Sequence, residues 1–312
     1  MAYRMGIDLG GSSVKLGLVD GEYRIAKRLE VPLGDDLSFP TVMDAIEGGV
    51  NALRGTEEIL SAGIGVPTTV LDRRIAVKTP NMGWVNRDVG SEMARRFDFP
   101  CTVDNDADCA AMAEHVAGAG RGRRSMAMIT LGSGVGSSIV YDGRILRGHR
   151  DCGVEFGHLK IVADGRLCGC GSRGCAEAYC SATSLKADIA EAVRAKRGTV
   201  LKEWMGQPGV RPGAKLVFDA ARMGDAVGQA LLRRYIAHLA VLVSNVILCY
   251  RPDVVVIGGG ISAAGDALFG PLNAQLEDLT YGAEMTGYPV AIPATLGNDA
   301  GIIGAANMEG IA

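Results

Sequence analysis

No block of like charge interrupts this sequence and no basic excess marks it: 32 Lys and Arg stand against 35 Asp and Glu, a net charge of −3. That balance argues against a polyanion-binding surface, so no nucleic-acid partner is expected. Long apolar runs are also missing. The longest, Ile236 to Cys249, carries His238, Ser244 and Asn245 and is too short to span a bilayer, so no membrane partner is expected either. The opening Met1-Ala2-Tyr3-Arg4-Met5 leads straight into a strand-like segment instead of a secretory leader, which predicts a cytoplasmic protein. Histidine is sparse, with four in 312 residues, so one standing beside a group of cysteines is conspicuous.

What is present is an ordinary enzyme composition, 48% hydrophobic and 21% charged, in a chain long enough for two domains with their own cores. Glycine is abundant at 44, gathered in short runs between apolar segments. This predicts an α/β protein whose loops bring their backbone close to a ligand.

The densest chemistry lies in the 23 residues from Glu155 to Glu177, EFGHLKIVADGRLCGCGSRGCAE. His158, Cys168, Cys170 and Cys175 stand as His-x9-Cys-x-Cys-x4-Cys. Three thiolates and an imidazole complete a tetrahedral set for Zn²⁺ with no open position, which suits a structural ion. The competing reading is two buried thiols plus a disulfide, against which the Cys-x-Cys spacing and the cytosolic character of the chain both count. A metal pinning this loop would hold Glu155 and Glu177 in fixed positions.

Residues 5–20, MGIDLGGSSVKLGLVD, read as two strands joined by a glycine turn, with Asp8 at the end of the first and Asp20-Gly21 making a further hairpin turn. Backbone N–H groups of such a turn can cradle phosphate, and an Asp at its edge can hold Mg²⁺ through water. Alone, it is as readily a plain turn. The pattern recurs at 127–143, AMITLGSGVGSSIVYDG, where Leu131, Gly132, Asp142 and Gly143 match Leu9, Gly10, Asp20 and Gly21 at a constant offset of 122. Two related halves are expected, each opening with a glycine hairpin, and the pair facing across a cleft would grip a polyphosphate from both sides.

Between the hairpins, apolar spacing predicts a helix over 41–54, a buried strand from Ala62 to Val66, and a loop at Asn81 near Trp84. A short strand, Cys101 to Asp104, passes through Asn105-Asp106 into a helix over 107–117. A carboxylate at that switch suits a general base, and equally a helix cap. Helical segments are expected over 176–197, 215–223 and 226–249, with an exposed connection around Gly206 to Gly213. Asp253 to Ile257 reads as a buried strand ending in Gly258-Gly259-Gly260, which either lies against a nucleoside or turns into a helix. A strand near Val290–Leu296 and a helix over 300–308 close the chain.

Taken in order, these residues resemble the ROK family of sugar kinases and repressors, in the actin/hexokinase/Hsp70 superfamily. Asp8-Leu9-Gly10-Gly11-Ser12 is similar to the first phosphate motif and Leu131-Gly132-Ser133-Gly134-Val135-Gly136 to the second, with Ser where the family often has Thr. Asn105-Asp106 resembles the catalytic pair, Glu155-x-Gly-His158 the sugar loop, Cys168-x-Cys-Gly-x-x-Gly-Cys175-x-Glu177 the zinc motif, and Gly258-Gly259-Gly260 the adenosine loop.

The resemblance implies a two-domain actin-like (duplicated ribonuclease H-like) α/β ATPase fold with a cleft between domains. The small domain would comprise 1–106 plus 298–312, and the large one 107–297 with the zinc loop. It implies ATP, Mg²⁺ and structural Zn²⁺ as cofactors, a hexose as substrate, and a homodimer or homotetramer. Asp106 would be the catalytic base and Asn81, Asn105, Asp106, Glu155, His158 and Glu177 would bind sugar. Asp8, Gly10, Gly11, Ser12, Lys15, Gly132, Ser133, Gly134 and the Gly258 to Gly260 run would serve ATP, with Asp8 also serving Mg²⁺. One departure is Pro67-Thr68-Thr69, where family glucokinases usually carry Pro-Gly, so Thr68 is a candidate to contact or crowd one sugar epimer. Glucose is the expected substrate, with allose, N-acetylmannosamine and fructose as alternatives. A non-catalytic sugar-sensing regulator is the other class. Its N-terminal helix-turn-helix is not expected ahead of a phosphate motif that begins at Asp8.

Overall fold

The computed structural model describes residues 2–79, 81–195, 198–207, 210 and 213–308. The chain opens with β1 (Ala2–Leu9), β2 (Ser13–Val19), β3 (Ile25–Pro32), α1 (Phe39–Arg54) and β4 (Glu58–Val66). Next come β5 (Val70–Leu71), β6 (Ile75–Thr79), β7 (Trp84–Asp88), α2 (Val89–Arg96), β8 (Cys101–Asn105) and α3 (Asp106–Ala117). The repeat follows as β9 (Ser125–Leu131), β10 (Val135–Tyr141) and β11 (Arg144–Ile145). After the cysteine loop lie α4 (Glu177–Cys180), α5 (Ala182–Ala195), α6 (Val200–Met205), α7 (Ala214–Arg222) and α8 (Ala226–Tyr250). The chain ends with β12 (Val254–Gly258), α9 (Asp266–Leu279), α10 (Ala283–Thr286), β13 (Ala291–Pro293) and α11 (Ala300–Ala306).

Two compact units result: Met1–Met128 with Ser138–Val154 and Thr295–Ala312, and Ile129–Ser137 with Glu155–Ala294. The first carries a five-stranded sheet in the order β3-β2-β1-β4-β8, antiparallel across β1–β2–β3 and parallel from β1 through β4 to β8. Alternation along β1 sends Met5, Ile7 and Leu9 into a core with Val42, Met43 and Ile46 of α1. On the opposite face α11 comes down to the strand backbone at two glycines. A Cβ on Gly6 would stand 1.9 Å from the Ile302 carbonyl oxygen, and one on Gly63 1.9 Å from that of Ala305. Glycine at these strand positions is what seats α11 directly on the sheet.

The second five-stranded sheet has the order β11-β10-β9-β12-β13, and β9–β10 repeats the hairpin made by β1–β2. The two Asp-Gly pairs do different things. Asp142 (φ 48°) and Gly143 (φ 73°) form the expected two-residue hairpin loop between Tyr141 and Arg144. At the first pair the loop is longer and the left-handed residue is Tyr23 (φ 63°), while Asp20 accepts the N–H groups of Glu22 and Arg24 at 2.9 Å each. A side-chain-stapled loop replaces the tight turn there.

The helix expected over 176–197 breaks at Ser181, whose backbone is extended and whose Oγ accepts the Ser184 N–H at 3.0 Å, starting a new helix at Ala182. Its last expected residues, 196 and 197, and part of the Gly206–Gly213 connection lie outside the described residues. Helices α6 and α9 were not anticipated; Pro271 inside α9 masks the helical pattern. The strand near Val290 shortens to three residues. Helix α8 is the one helix among the described residues long and apolar enough to cross a membrane. It packs against α7 and α9 and buries Leu239, Leu242, Val243 and Val246, as a core helix does.

Candidate functional site

In the first unit, β8 runs into α3 through Asn105, an extended residue that caps the helix. Its Oδ1 accepts the N–H groups of Ala107 at 2.8 Å and Asp108 at 3.3 Å, while its Nδ2 donates to the Thr68 carbonyl at 3.1 Å. Asn105 is therefore the cap. Asp106, the first helical residue, is exposed, with one carboxylate oxygen on the Ala107 N–H at 2.9 Å. The sequence left base and cap as competing readings of this pair; the fold gives the cap to Asn105 and sets Asp106 exposed at the head of α3.

The β1–β2 hairpin sets Asp8 opposite Lys15 in register. Burial raises the Asp8 carboxyl above its ordinary range and the Lys15 charge opposes the rise. Gly10 closes the turn with its N–H on the Ser13 carbonyl at 3.0 Å, and Gly11 and Ser12 at the tip are exposed. Asn81 adjoins that tip: a Cβ on Gly11 would lie 3.3 Å from Asn81 Nδ2.

In the second unit, the β9–β10 hairpin sits on the start of α5. Ala182 donates its N–H to the Gly132 carbonyl at 2.8 Å, and Thr183 its hydroxyl to the Ser133 carbonyl at 2.7 Å. The exposed Glu155 precedes a 3-10 turn, Phe156–His158, which is tied to β10 by the Phe156 N–H on Ser137 Oγ at 2.8 Å. Gly259 (φ 83°) lets the end of β12 lie on β9, where a Cβ would meet the Leu131 carbonyl oxygen at 2.4 Å. Gly259 and Gly260 are exposed and Gly258 is buried as the last residue of its strand.

The cysteine loop closes on itself. One donor atom from each of His158, Cys168, Cys170 and Cys175 lies within 4.8 Å of the others. Cys168 Sγ stands 3.8 Å from His158 Nδ1, and Cys170 Sγ 3.7 Å from Cys175 Sγ. Zinc bonds of about 2.3 Å to sulfur and about 2.0 Å to nitrogen, arranged tetrahedrally, set donors about 3.5–3.8 Å apart. A disulfide needs about 2.05 Å between sulfurs. The donor set fits zinc and not a Cys170–Cys175 bridge. Lys160 Nζ lies 2.8 Å from Cys175 Sγ, a cation where three thiolates and one Zn²⁺ would carry an excess negative charge. Within the set the Ser172 N–H brings the Cys170 thiol down to about 7, while burial pushes the Cys168 thiol up to about 12.

Residues 4–309 match the model of the ROK family. The chain belongs to the ROK family. It is 34% identical to a glucokinase of Thermotoga maritima over 97% of this chain and 96% of that one. A ROK family glucokinase from Streptomyces griseus, solved with glucose and AMPPNP, is 30% identical with a TM-score of 0.82, covering 98% of each chain. A ROK family transcriptional regulator superposes with a TM-score of 0.86 at 21% identity, over 99% of this chain and 78% of that one, a likeness of fold alone. The architecture is the two-domain actin-like fold of these ROK proteins.

Around the Asn105-Asp106 pair this ROK chain carries a charge cluster that the sequence reading missed. Asp104 is 1% exposed and Asp108 2%, and Arg147 bridges them, 2.7 Å from Asp104 and 3.5 Å from Asp108. Burial, and then Asp104, raise the Asp108 carboxyl to about 7. The available signal was the run Asp104, Asp106, Asp108: at a strand-to-helix junction three alternate carboxylates cannot all face water. Thr68, the candidate to contact or crowd one sugar epimer, is bonded within its own loop. Its hydroxyl donates to the Lys78 carbonyl at 2.7 Å and accepts the Lys78 N–H at 3.2 Å, stitching the loop after β4 to β6.

Proposed function

We propose that this ROK protein is an ATP-dependent hexose kinase that transfers the γ-phosphate of ATP to the 6-hydroxyl of a hexose, with glucose preferred. The observation that carries the reading is the exposed Asp106 carboxylate at the head of α3, set by a neighbouring Asn105 whose side chain is committed at both ends. It stands in a chain about one third identical, end to end, to glucokinases. Asp106 takes the proton of the 6-hydroxyl as that oxygen attacks phosphorus, and transfer otherwise depends on in-line placement and charge neutralisation.

The glycine hairpins at Gly10-Gly11-Ser12, with Lys15, and at Gly132-Ser133-Gly134 present backbone N–H groups to the phosphates, and Gly258 to Gly260 lie along the nucleoside. Asp8, half-buried and paired in register with Lys15, would hold Mg²⁺ through water, which supplies neutralisation of the phosphate charge. Asn81, Asn105, Glu155, His158 and Glu177 hydrogen-bond the sugar hydroxyls. His158, Cys168, Cys170 and Cys175 would hold Zn²⁺, a structural ion that fixes the loop. With Nδ1 facing the sulfurs, His158 keeps Nε2 for a sugar hydroxyl. The Thr68 hydroxyl is bonded to both backbone groups of Lys78, which supports keeping glucose as the preferred hexose. We place the enzyme in the cytoplasm as a homodimer or homotetramer, following the family likeness.

A coupled ADP-release assay with Mg-ATP against glucose, allose, mannose, fructose, N-acetylglucosamine and N-acetylmannosamine tests the reading. Glucose is expected to give the highest kcat/KM. Asp106→Asn is expected to bind glucose by calorimetry while turnover falls roughly 10²–10⁴-fold. Silence across the panel from folded, zinc-loaded protein would leave a sugar-sensing protein instead.

A further inference from the structure

We propose that Arg147 is a positioning residue for the Asn105-Asp106 pair, acting by gripping the two aspartates that bracket it. The inference rests on the kinase reading, in which Asp106 is the base. Each aspartate is linked to Asn105 on one side and to Arg147 on the other. Asp104 Oδ1 accepts the Asn105 N–H at 3.2 Å, and its Oδ2 meets Arg147 Nη2 at 2.7 Å. Asp108 gives its own N–H to Asn105 Oδ1 at 3.3 Å, and its Oδ2 meets Arg147 Nη1 at 3.5 Å. The remaining Asp108 oxygen accepts the Ser138 hydroxyl at 2.6 Å. Gly153 closes the other side, since a Cβ there would stand 2.7 Å from Asp108 Oδ2.

The guanidinium is itself held. Its Nη1 donates to the Asp151 carbonyl at 3.0 Å, and its side chain is 17% exposed. Arg73 is the weaker neighbour, with Nε at 3.7 Å from Asp104 and Nη2 committed to the Met308 carbonyl at 3.0 Å.

A plain structural ion pair explains this poorly. Buried pairs contribute little net stability compared with apolar residues of the same size, because desolvation offsets the attraction. What they add is direction. A planar fork hydrogen-bonded to the residue two before the base and ion-paired at 3.5 Å with the residue two after it defines the pitch at which β8 turns into α3, and therefore where the Asp106 carboxylate points. An error of about 1 Å in such a group costs about 10²-fold in rate. A lysine has the charge without the fork, so it cannot grip both carboxylates in the same geometry.

The test compares Arg147→Lys, Arg147→Met and the neutralised pair Asp104→Asn/Arg147→Met, each measured for Tm, kcat, and KM for glucose and ATP well below Tm. Arg147→Lys is expected to stay folded with kcat down about tenfold or more, KM for ATP within about twofold of wild type, and KM for glucose raised more than that because Asn105 contacts the sugar. The neutralised pair removes the unpaired buried charge, so it is expected to recover Tm over Arg147→Met without recovering kcat. This keeps the test open should Arg147→Met fail to fold. A kcat for Arg147→Lys within twofold of wild type, or recovery of Tm and kcat together in the pair, would overturn the proposal alone. A wild-type enzyme inert with every hexose would overturn it together with the kinase reading.

Discussion

One carboxylate joins the second glycine hairpin to the metal loop. Glu177 accepts the Val135 N–H at 3.1 Å through Oε2, and its Oε1 lies 3.4 Å from Cys168 Sγ. Gly134 leaves room for it, as a Cβ there would meet Oε2 at 2.5 Å. The residue expected only to bind sugar also braces the hairpin assigned to phosphate.

Removing that brace is therefore expected to disturb both neighbours. Glu177→Ala should raise KM for ATP as well as for glucose, each by several-fold, and should release zinc faster to a chelator. If KM for ATP stays at the wild-type value, the bond to Val135 does not shape the hairpin.

Metal content is checked directly. Purified protein is expected to hold about one zinc per chain, and Cys170→Ala should lower both Tm and glucose affinity. Cys170 is the exposed member of the set, so its loss opens no core cavity and any effect on the sugar reports the ion. Metal-free protein with full activity would refute the assignment.

Asp108 sets a pH dependence of stability with a definite sign. The folded chain keeps this proton up to about 7, whereas the unfolded chain releases it at about 3.9. A carboxyl whose folded value is raised contributes stability that is fully present below the unfolded value and is lost as pH rises through the folded one. Between pH 4 and 8, wild-type stability should fall relative to that of Asp108→Asn, which keeps a neutral side chain facing Ser138, Arg147 and Asp104. Parallel stability curves for the two proteins would show that Asp108 is ionised throughout.

Thr68→Val should cost about 1 kcal/mol of stability through its two lost hydrogen bonds and leave the ranking of hexoses unchanged. A changed ranking in the hexose panel would return Thr68 to the list of specificity residues.

The parts of this protein readable in advance are those set by neighbours in the chain. The glycine hairpins and the His158 to Cys175 cluster each lie within short spans, where spacing and turn chemistry dictate geometry, whereas which of Asn105 and Asp106 caps α3 stayed open until the fold was known. The Ser181 break escaped notice because a serine in an apolar helical pattern has two local options: to cap a new helix through the N–H three residues on, as here, or to stay helical with its hydroxyl on the carbonyl four residues back. Asp20-Gly21 and Asp142-Gly143 show the same limit from another side: identical pairs, different loops, because the flanking residues offer different partners.

By itself, then, the sequence determined the duplicated hairpin, the main buried strands and helices and the clustering of His158 with three cysteines, since local conformational preference and ligand chemistry act over a few residues. Only the tertiary structure decided which charges are buried and what each side chain is bonded to. Arg147 reaches Asp104 across 43 residues and Thr68 reaches Lys78 across 10. Such pairings depend on how sheets and helices stack. Burial then makes each partner obligatory, because a polar group removed from water must find its hydrogen bonds inside the fold.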